Sequence, residues 1–261
     1  ITMGADLMIT SLHKTLPAFT QTALLLKGKD CRIPTDRIRF YLDCFESSSP
    51  SYILMAGAAK CLRYIKENGA AAQKEYRRRL ESFYRETQDT SKIYVGRLKS
   101  QDPGKILIFG GGFLSGTEMA EALRKNYGIE TEMAGRDYCL AMTSIMDDVE
   151  GFRRLAAAVK DLDARQKGKT PKKREVSDKE PMRLSPVLSL WEAMEADTSL
   201  RPKEACGNCI SADFVGFYPP GVPLLCPGEL ITDEVINELR KGSEAHLTIF
   251  GMRDGRLKIA E

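Results

Sequence analysis

The pattern of hydrophobic and polar positions along this chain begins with two short apolar runs. The runs at 6–10 and 23–26 are bounded by polar or turn-forming residues, which predicts a short buried strand and, after a loop, a second strand that ends in a turn. We expect these strands to be the last part of a larger sheet, because two strands alone leave open edges that pair with other chains.

From Ser49 onward the apolar positions recur at helical spacing. This period predicts a helix with Ser49 as its cap and Pro50 in its first turn, interrupted at Asn68 and Gly69. A second amphipathic helix is predicted to follow, with apolar residues on one side. A solvated helix face explains its basic residues better than a site for an acidic partner does. These basic residues are Arg77, Arg78, Arg79 and Arg85.

The next part of the chain alternates strand and helix patterns, which predicts a compact α/β layer. Three glycines, Gly110 to Gly112, stand between a strand and a helix that begins near Ser115. Their spacing fits neither the nucleotide loop nor the dinucleotide fingerprint, so a tight turn is favoured over a phosphate site. The predicted elements are strands at 105–109, 130–133 and 138–144 and helices over 119–127 and 152–162.

A basic stretch almost without apolar residues, at 165–179, predicts an exposed linker. Beyond it the pattern predicts a helix at 184–196 with Pro186 in its first turn, and another at 231–240. The end of the chain predicts a hairpin, since apolar runs flank a strong two-residue turn signal. The hairpin would pair 247–250 with 257–259 around Asp254 and Gly255.

Composition narrows the class of protein. The chain has 261 residues, of which 43% are hydrophobic and 29% charged, with a net charge of +3. No segment has the roughly 20 apolar residues needed to cross a bilayer, so we expect a soluble protein without a membrane partner. The small net charge does not indicate binding to nucleic acid.

Seven scattered cysteines, an odd number, favour a reducing compartment over a disulfide framework, and we expect the cytoplasm. Cys206 and Cys209 have the spacing of a redox or metal half-site. No second pair accompanies them and neither histidine is nearby in sequence, so we expect no metal and prefer two small residues in a turn, with redox or metal binding as the alternative.

The first candidate for chemistry is Lys14, which directly follows the first apolar run. A lysine at the mouth of a strand, beside a hydroxyl and an imidazole, can hold an aldehyde cofactor as a Schiff base. A lysine alone is usually a solvated surface residue, because its ammonium prefers water. The surrounding segment is Ser11-Leu12-His13-Lys14-Thr15.

Three separated segments resemble one family. Its members are the Orn/Lys/Arg decarboxylases, which use pyridoxal 5'-phosphate and share fold type I with aspartate aminotransferase. The resemblance implies an α/β chain comprising the end of the cofactor domain, a small α/β domain and a C-terminal α+β domain. The segments that carry it are Ser11 to Lys14, Ser47 to Ala56, and Tyr218 to Glu229.

The resemblance also implies that this is the C-terminal portion of a longer enzyme, since family members carry a cofactor domain that begins well upstream of the lysine. The missing N-terminal half is then one expected partner. The implied domains are a remnant of the large cofactor domain at 1–48, connecting helices at 49–90, a small domain at 91–165, the linker at 166–182 and a C-terminal decarboxylase domain at 183–261.

By family position, Lys14 holds the cofactor, and Ser11 and His13 contact its phosphate. Without the resemblance, Ser11 is a turn-forming hydroxyl and His13 a half-buried histidine. Ser47 and Ser48 are implied to reach the cofactor of a neighbouring subunit, which makes a homodimer or higher homo-oligomer a condition for activity.

Glu229 is the candidate for the distal amine or guanidinium of a basic amino acid substrate, and Tyr218 for the loop edge beside it. A surface acid near a helix is the alternative for Glu229. The implied reaction releases carbon dioxide from arginine, lysine or ornithine, giving the polyamine precursors agmatine, cadaverine or putrescine. The alternatives are another fold type I enzyme, such as an aminotransferase, or a non-catalytic interaction module. We expect weak or no activity from the fragment alone.

Overall fold

The computed structural model describes residues 1–97, 99, 101–171, 182, 184–218 and 220–261. The chain is mixed α/β and divides into two compact units. The first contains residues 1–85 and 143–153, and the second contains 86–142 and 154–261. Most of the predicted basic linker lies outside the described residues, and the finer division into five domains stays a prediction.

The first unit begins with an antiparallel hairpin, which confirms the two predicted strands. The predicted burial of the first strand was wrong, since none of its residues is buried and its sheet has only two strands within the described residues. Leu7 faces Lys27 at one end of the pairing and Ser11 faces Ala23 at the other. Helix α1 was not predicted, and it has no buried residue. The elements are β1 Leu7–Ser11, β2 Ala23–Lys27, α1 Thr35–Phe45 and α2 Tyr52–Glu86.

Helix α2 is continuous, so the break predicted at Asn68 and Gly69 was wrong. The amide of Asn68 turns back and donates to the carbonyl oxygen of Tyr64 at 3.4 Å. Asparagine and glycine weaken a helix by no more than about 1 kcal/mol each, which tertiary packing of buried residues on either side outweighs. The buried residues of α2 are Cys61, Tyr76, Leu80 and Phe83.

The start of α2 also differs from expectation. Ser51 rather than Ser49 receives the backbone N–H of the third helical residue, Leu54, at 3.3 Å. Pro50 therefore precedes the helix instead of lying in its first turn. The solvated basic face is confirmed for three of the four arginines, but the Arg79 side chain is only 21% exposed and donates to the Asp147 carbonyl oxygen at 2.5 Å.

The second unit opens with the predicted small α/β layer. Its four strands form an antiparallel sheet in the order β3-β4-β6-β5, and α3 packs against β5 and β6. Ser115 caps α3 in a reciprocal capping box with Glu118, so the three glycines form the expected strand-to-helix turn. The elements are β3 Tyr94–Gly96, β4 Lys105–Phe109, α3 Gly116–Tyr127, β5 Met133–Ala134 and β6 Tyr138–Met142. Helix α4, Val149–Ala164, has its first five residues in the first unit and the rest in the second.

The C-terminal part contains two further sheets, one ordered β10-β9-β11 and one ordered β12-β13-β7, with β8 also paired to β13. Helix α6 begins after Thr232, which accepts from Val235 N, close to the predicted start. The elements are α5 Leu190–Glu195, β7 Thr198–Pro202, a 3-10 turn Lys203–Ala205, β8 Ile210–Ser211, β9 Val215–Tyr218, β10 Pro223–Leu225, α6 Asp233–Glu244, β11 Thr248–Phe250, β12 Met252–Arg253 and β13 Arg256–Ala260.

Two predictions in this part were wrong in detail. Helix α5 starts only after Ser189, whose capping box with Glu192 fixes the first turn, and Pro186 forms an isolated bridge with Glu229. The C-terminal hairpin joins β12 to β13 around Asp254 and Gly255, whereas β11 pairs with β9.

Gly251 explains the second error. It separates β11 from β12 at a φ of 75°, and a Cβ at this position would collide with the carbonyl oxygen of Phe214. The turn at Gly251 thus places the consecutive strands β11 and β12 in different sheets. No helix within the described ranges is long and apolar enough to cross a membrane.

Candidate functional site

The lysine loop, residues 11–22, joins β1 to β2. Lys14 lies in the turn that follows β1 and is exposed, as is Ser11 at the end of that strand. Leu12 between them is fully buried, and its N–H donates to the Thr22 carbonyl oxygen at 3.0 Å. The loop is therefore fixed by Leu12 while the flanking polar side chains point outward.

His13 shares the same anchor. Its Nδ1 is 3.1 Å from the Thr22 carbonyl oxygen, and a carbonyl can only accept, so Nδ1 carries a proton. Nε2 is then the nitrogen that remains for a ligand. Thr22 is itself buried, and its hydroxyl donates to the Phe19 carbonyl oxygen at 2.6 Å. Both ends of the lysine loop thus converge on one threonine.

The far side of the lysine loop rests on α2. The Phe19 ring lies over Gly57, where an added Cβ would be 2.5 Å from Cδ2 of Phe19. A cavity of about 390 Å³ adjoins this contact. Its lining residues are Pro17, Ala18, Phe19, Gly57, Lys60, Cys61, Tyr64 and Met146.

Ser47 and Ser48 belong to the same unit and are exposed in the connection between α1 and α2. The Ser47 hydroxyl accepts from the N–H of Ser49 at 3.2 Å and lies 3.4 Å from its carbonyl oxygen. This bonding is local and shapes the approach to α2. The contact in trans implied for the two serines stays a prediction.

The two substrate candidates lie in the second unit. Tyr218 ends β9 with its side chain 62% exposed. Glu229 is half-buried, and its Oε2 accepts from Cys226 N at 2.7 Å while its carbonyl oxygen accepts from Ser211 N at 2.9 Å. Glu229 therefore has a structural role in its own turn, and its role toward a substrate stays a prediction.

An apolar groove between the hairpin and α1 is a feature that sequence reasoning missed. Its volume is about 930 Å³. Spacing within α1 is the signal that could have found it, because Ile38, Leu42 and Phe45 recur at helical intervals and line the groove. Phe45 is 87% exposed. Thr22 and Gly57, by contrast, carry no signal in the sequence that would link them to the lysine.

Metal ligation was the alternative for the paired cysteines. Within the described part of the chain there is no group of three or more histidine, cysteine or acidic side chains that could hold a metal ion. The lysine loop offers a hydroxyl at Ser11, an imidazole at His13 and an amine at Lys14, all at exposed or half-exposed positions. An amine can bind an aldehyde, and a hydroxyl and an imidazole can donate to a phosphate.

Comparison with known proteins identifies a family whose model matches the N-terminal part of the chain. Residues 2–95 match the family described as "Orn/Lys/Arg decarboxylase, major domain". The chain is 28% identical over 264 residues to an arginine decarboxylase of Bacillus anthracis, covering 98% of this chain and 53% of that protein. An arginine decarboxylase of Bacillus subtilis is 29% identical over 269 residues, covering 97% of this chain and 54% of that protein.

Solved structures of the same fold include two lysine decarboxylases. The constitutive enzyme of E. coli superposes with a TM-score of 0.75 at 18% identity, over 98% of this chain and 49% of that one. The Francisella novicida enzyme gives 0.76 at 18% identity, over 97% and 48%. The chain spans about half the length of the curated relatives it matches. The sequence match at residues 2–95 supports the Orn/Lys/Arg decarboxylase family for this chain, and the solved structures show the shared fold.

Proposed function

We propose that this chain is part of a pyridoxal-phosphate-dependent decarboxylase that acts on a basic amino acid. The observation that carries the proposal is the position of Lys14, an exposed residue in a loop held by buried Leu12, within a segment that matches the family's major domain. A buried neighbour fixes the backbone beside the lysine, which a covalent attachment point requires.

The lysine loop residues fit the cofactor by their chemistry. Lys14 Nζ is the nucleophile for the aldehyde, and the Ser11 hydroxyl is a donor to the phosphate. His13 donates through Nδ1 to Thr22, so contact of Nε2 with a phosphate oxygen requires the doubly protonated ring. The bound cofactor supplies the electron sink for the charge that loss of carbon dioxide leaves on the substrate carbon.

Lys14 has a second proposed role. Once its amine is displaced by that of the substrate, Nζ can carry a proton to the substrate carbon after decarboxylation.

The active form is proposed to be a homodimer or higher homo-oligomer. Ser47 and Ser48 would then contact the cofactor of the neighbouring subunit. Their exposure and their place between two helices support this role, since neither hydroxyl is used in a core. We also propose the cytoplasm as the location, because all seven cysteines are free thiols.

The substrate is proposed to be arginine, lysine or ornithine, giving agmatine, cadaverine or putrescine. Glu229 would bind the distal cation by a charge-assisted bond, with Tyr218 at the loop edge. Arginine is the first substrate to test, since the two relatives described above are named arginine decarboxylases. One oxygen of Glu229 is engaged by Cys226 N, which would orient the other.

Product analysis tests the proposal. The 261-residue chain is incubated with pyridoxal phosphate and carboxyl-labelled arginine, lysine or ornithine, and carbon dioxide and the amine are measured. We expect slow release that Lys14→Ala abolishes and that the matched variant of an exposed lysine, Lys29→Ala, retains.

The alternatives predict other outcomes. A keto acid in place of carbon dioxide would identify an aminotransferase. Absence of both turnover and cofactor absorbance would contradict the proposal and favour a non-catalytic interaction module. That alternative is supported by the exposed apolar side of α1.

A further inference from the structure

A turn in the second unit joins Cys206 directly to Cys209. The N–H of Cys209 donates to the Cys206 carbonyl oxygen at 3.0 Å, and Asn208 between them has a φ of 64°. A four-residue turn of this kind holds its end Cα atoms within about 7 Å. Disulfides need Cα atoms about 4.4–6.8 Å apart, a range that lies within the spacing such a turn allows.

The two sulfurs share one apolar environment but differ in access. Cys206 is fully buried in the core cluster of the C-terminal part, with Sγ 3.2 Å from the Pro202 carbonyl oxygen and 3.6 Å from that of Arg201. Cys209 packs against the same cluster and is half-exposed. An external reagent can therefore reach Cys209 first, because Cys206 is buried.

Backbone hydrogen bonds to Ile231, outside the turn, also stabilise it. Asn208 N donates to the Ile231 carbonyl oxygen at 2.9 Å, and Ile231 N donates to the Cys209 carbonyl oxygen at 2.8 Å. Ile231 is itself fully buried next to α6. The backbone at Asn208 and Cys209 is therefore held by hydrogen bonds to a buried residue outside the turn.

We propose that Cys206 and Cys209 form a thiol–disulfide exchange site that takes a low-molecular-weight disulfide as its oxidant. The Cys209 thiolate attacks one sulfur of that disulfide, whose S–S bond breaks and releases one thiolate. Cys206 then loses its proton to solvent and attacks Cys209 Sγ, releasing the second thiolate. In total, two cysteine thiols are oxidised to one disulfide and the external disulfide is reduced to two thiols.

Electrostatics support this order of attack. Burial raises the pKa of the Cys206 thiol, and the negative charges of a Cys209 thiolate and of Glu204 raise it further, against the opposing effect of Arg201. The raised pKa favours the protonated form of Cys206 while Cys209 is a thiolate. Formation of the mixed disulfide removes the charge at Cys209, which favours ionisation of Cys206 for the second step.

Oxidised glutathione is the probe that tests the site. The folded 261-residue chain is incubated with it, quenched by alkylation and mapped by mass spectrometry. The tryptic peptide from Glu204 to Arg240 also contains Cys226, so Cys226→Ser is the matched background. We expect Cys206 and Cys209 to lose alkylation together, with loss of two hydrogens from the peptide and full recovery after dithiothreitol.

Variants separate the two steps. Cys206→Ser is expected to stop at a glutathione adduct on Cys209, and Cys209→Ser to leave Cys206 unmodified until the protein is unfolded. If the Cys226→Ser protein itself stops at an adduct on Cys209, or shows no change at either cysteine, the exchange site is refuted. Because that result comes from a protein with the pair intact, it does not depend on the folding of the pair variants.

Discussion

The ring of Phe19 lies directly on the backbone of Gly57, so that a Cβ at Gly57 would be 2.5 Å from Cδ2 and 2.9 Å from Cε2 of the ring. Phe19 belongs to the lysine loop and Gly57 to α2. The contact is therefore a direct link between the loop that carries Lys14 and the long helix of the first unit.

Gly57→Ala is expected to have opposite effects on stability with and without Phe19. Alanine favours a helix over glycine by about 1 kcal/mol, but overpacking against the ring costs about 1–3 kcal/mol. We expect a neutral or destabilising change in the wild type and stabilisation in a Phe19→Ala background. Urea unfolding of the four proteins measures the coupling, and additive effects would show that the ring moves aside freely.

Asp163 is predicted to contribute strongly to the stability of the second unit. Its Oδ1 accepts backbone N–H groups of Ser91, Lys92 and Ile93 at 3.2, 2.6 and 3.0 Å. Hydrogen bonds to a charged group contribute about 1.5–3 kcal/mol, so Asp163→Ala should cost about 2–3 kcal/mol in free energy of unfolding. Asp163→Asn should cost less, because its amide oxygen still accepts.

The same carboxylate predicts a pH dependence. Burial raises the pKa of Asp163, but the three backbone N–H groups and the charge of Lys92 outweigh it and leave the pKa below its usual value. A lowered folded-state pKa gives stability that is present above the unfolded pKa and lost as pH falls through the folded value. Unfolding below about pH 4 should therefore depend less steeply on pH in Asp163→Asn; equal slopes would contradict this assignment.

The Tyr76 hydroxyl in α2 is predicted to contribute to the stability of the first unit. Its hydroxyl is 2.8 Å from Thr143 Oγ1 and donates to the Thr143 carbonyl oxygen at 3.2 Å. Tyr76→Phe is expected to cost about 1 kcal/mol, since it removes a net hydrogen bond and leaves acceptors at Thr143. The control is Tyr52→Phe in the same helix, where the side chain is 78% exposed and no effect on thermal unfolding is expected.

Cys139 should be almost inert as a thiol in the folded protein. It is fully buried in β6, and burial raises its pKa to about 12 against the weaker effect of a backbone hydrogen bond. At pH 8 the reactive thiolate is then about 10⁻⁴ of the population. Iodoacetamide should label exposed Cys44 rapidly and Cys139 only after urea is added; comparable rates without urea would refute this prediction.

Local signals were sufficient for much of the fold. The hairpin of the first unit, the strand-to-helix turn at Ser115 and the start of α6 after Thr232 follow from apolar period and capping residues. The pairing of β11 with β9 could not be predicted in this way, because it depends on the close approach of Phe214 to Gly251. A close contact between residues far apart in sequence produces no periodic pattern of apolar positions.

The candidate site shows the same division. Lys14 and its polar neighbours were predicted from residue types beside a strand and from family resemblance. The Thr22 carbonyl that holds both Leu12 and His13 could not be found, because a backbone acceptor has no residue-type signature. A side chain that stabilises its own turn, as Glu229 does by accepting from Cys226 N, is equally hard to distinguish from a ligand-binding side chain by sequence alone.

Reductive trapping tests the central claim most directly. The chain is mixed with pyridoxal phosphate, treated with borohydride, digested with trypsin and mapped. A modified Lys14 blocks cleavage, so we predict a labelled peptide from Ile1 to Lys27, absent in Lys14→Arg. Label spread over other exposed lysines, with cleavage at Lys14 intact, would contradict the account.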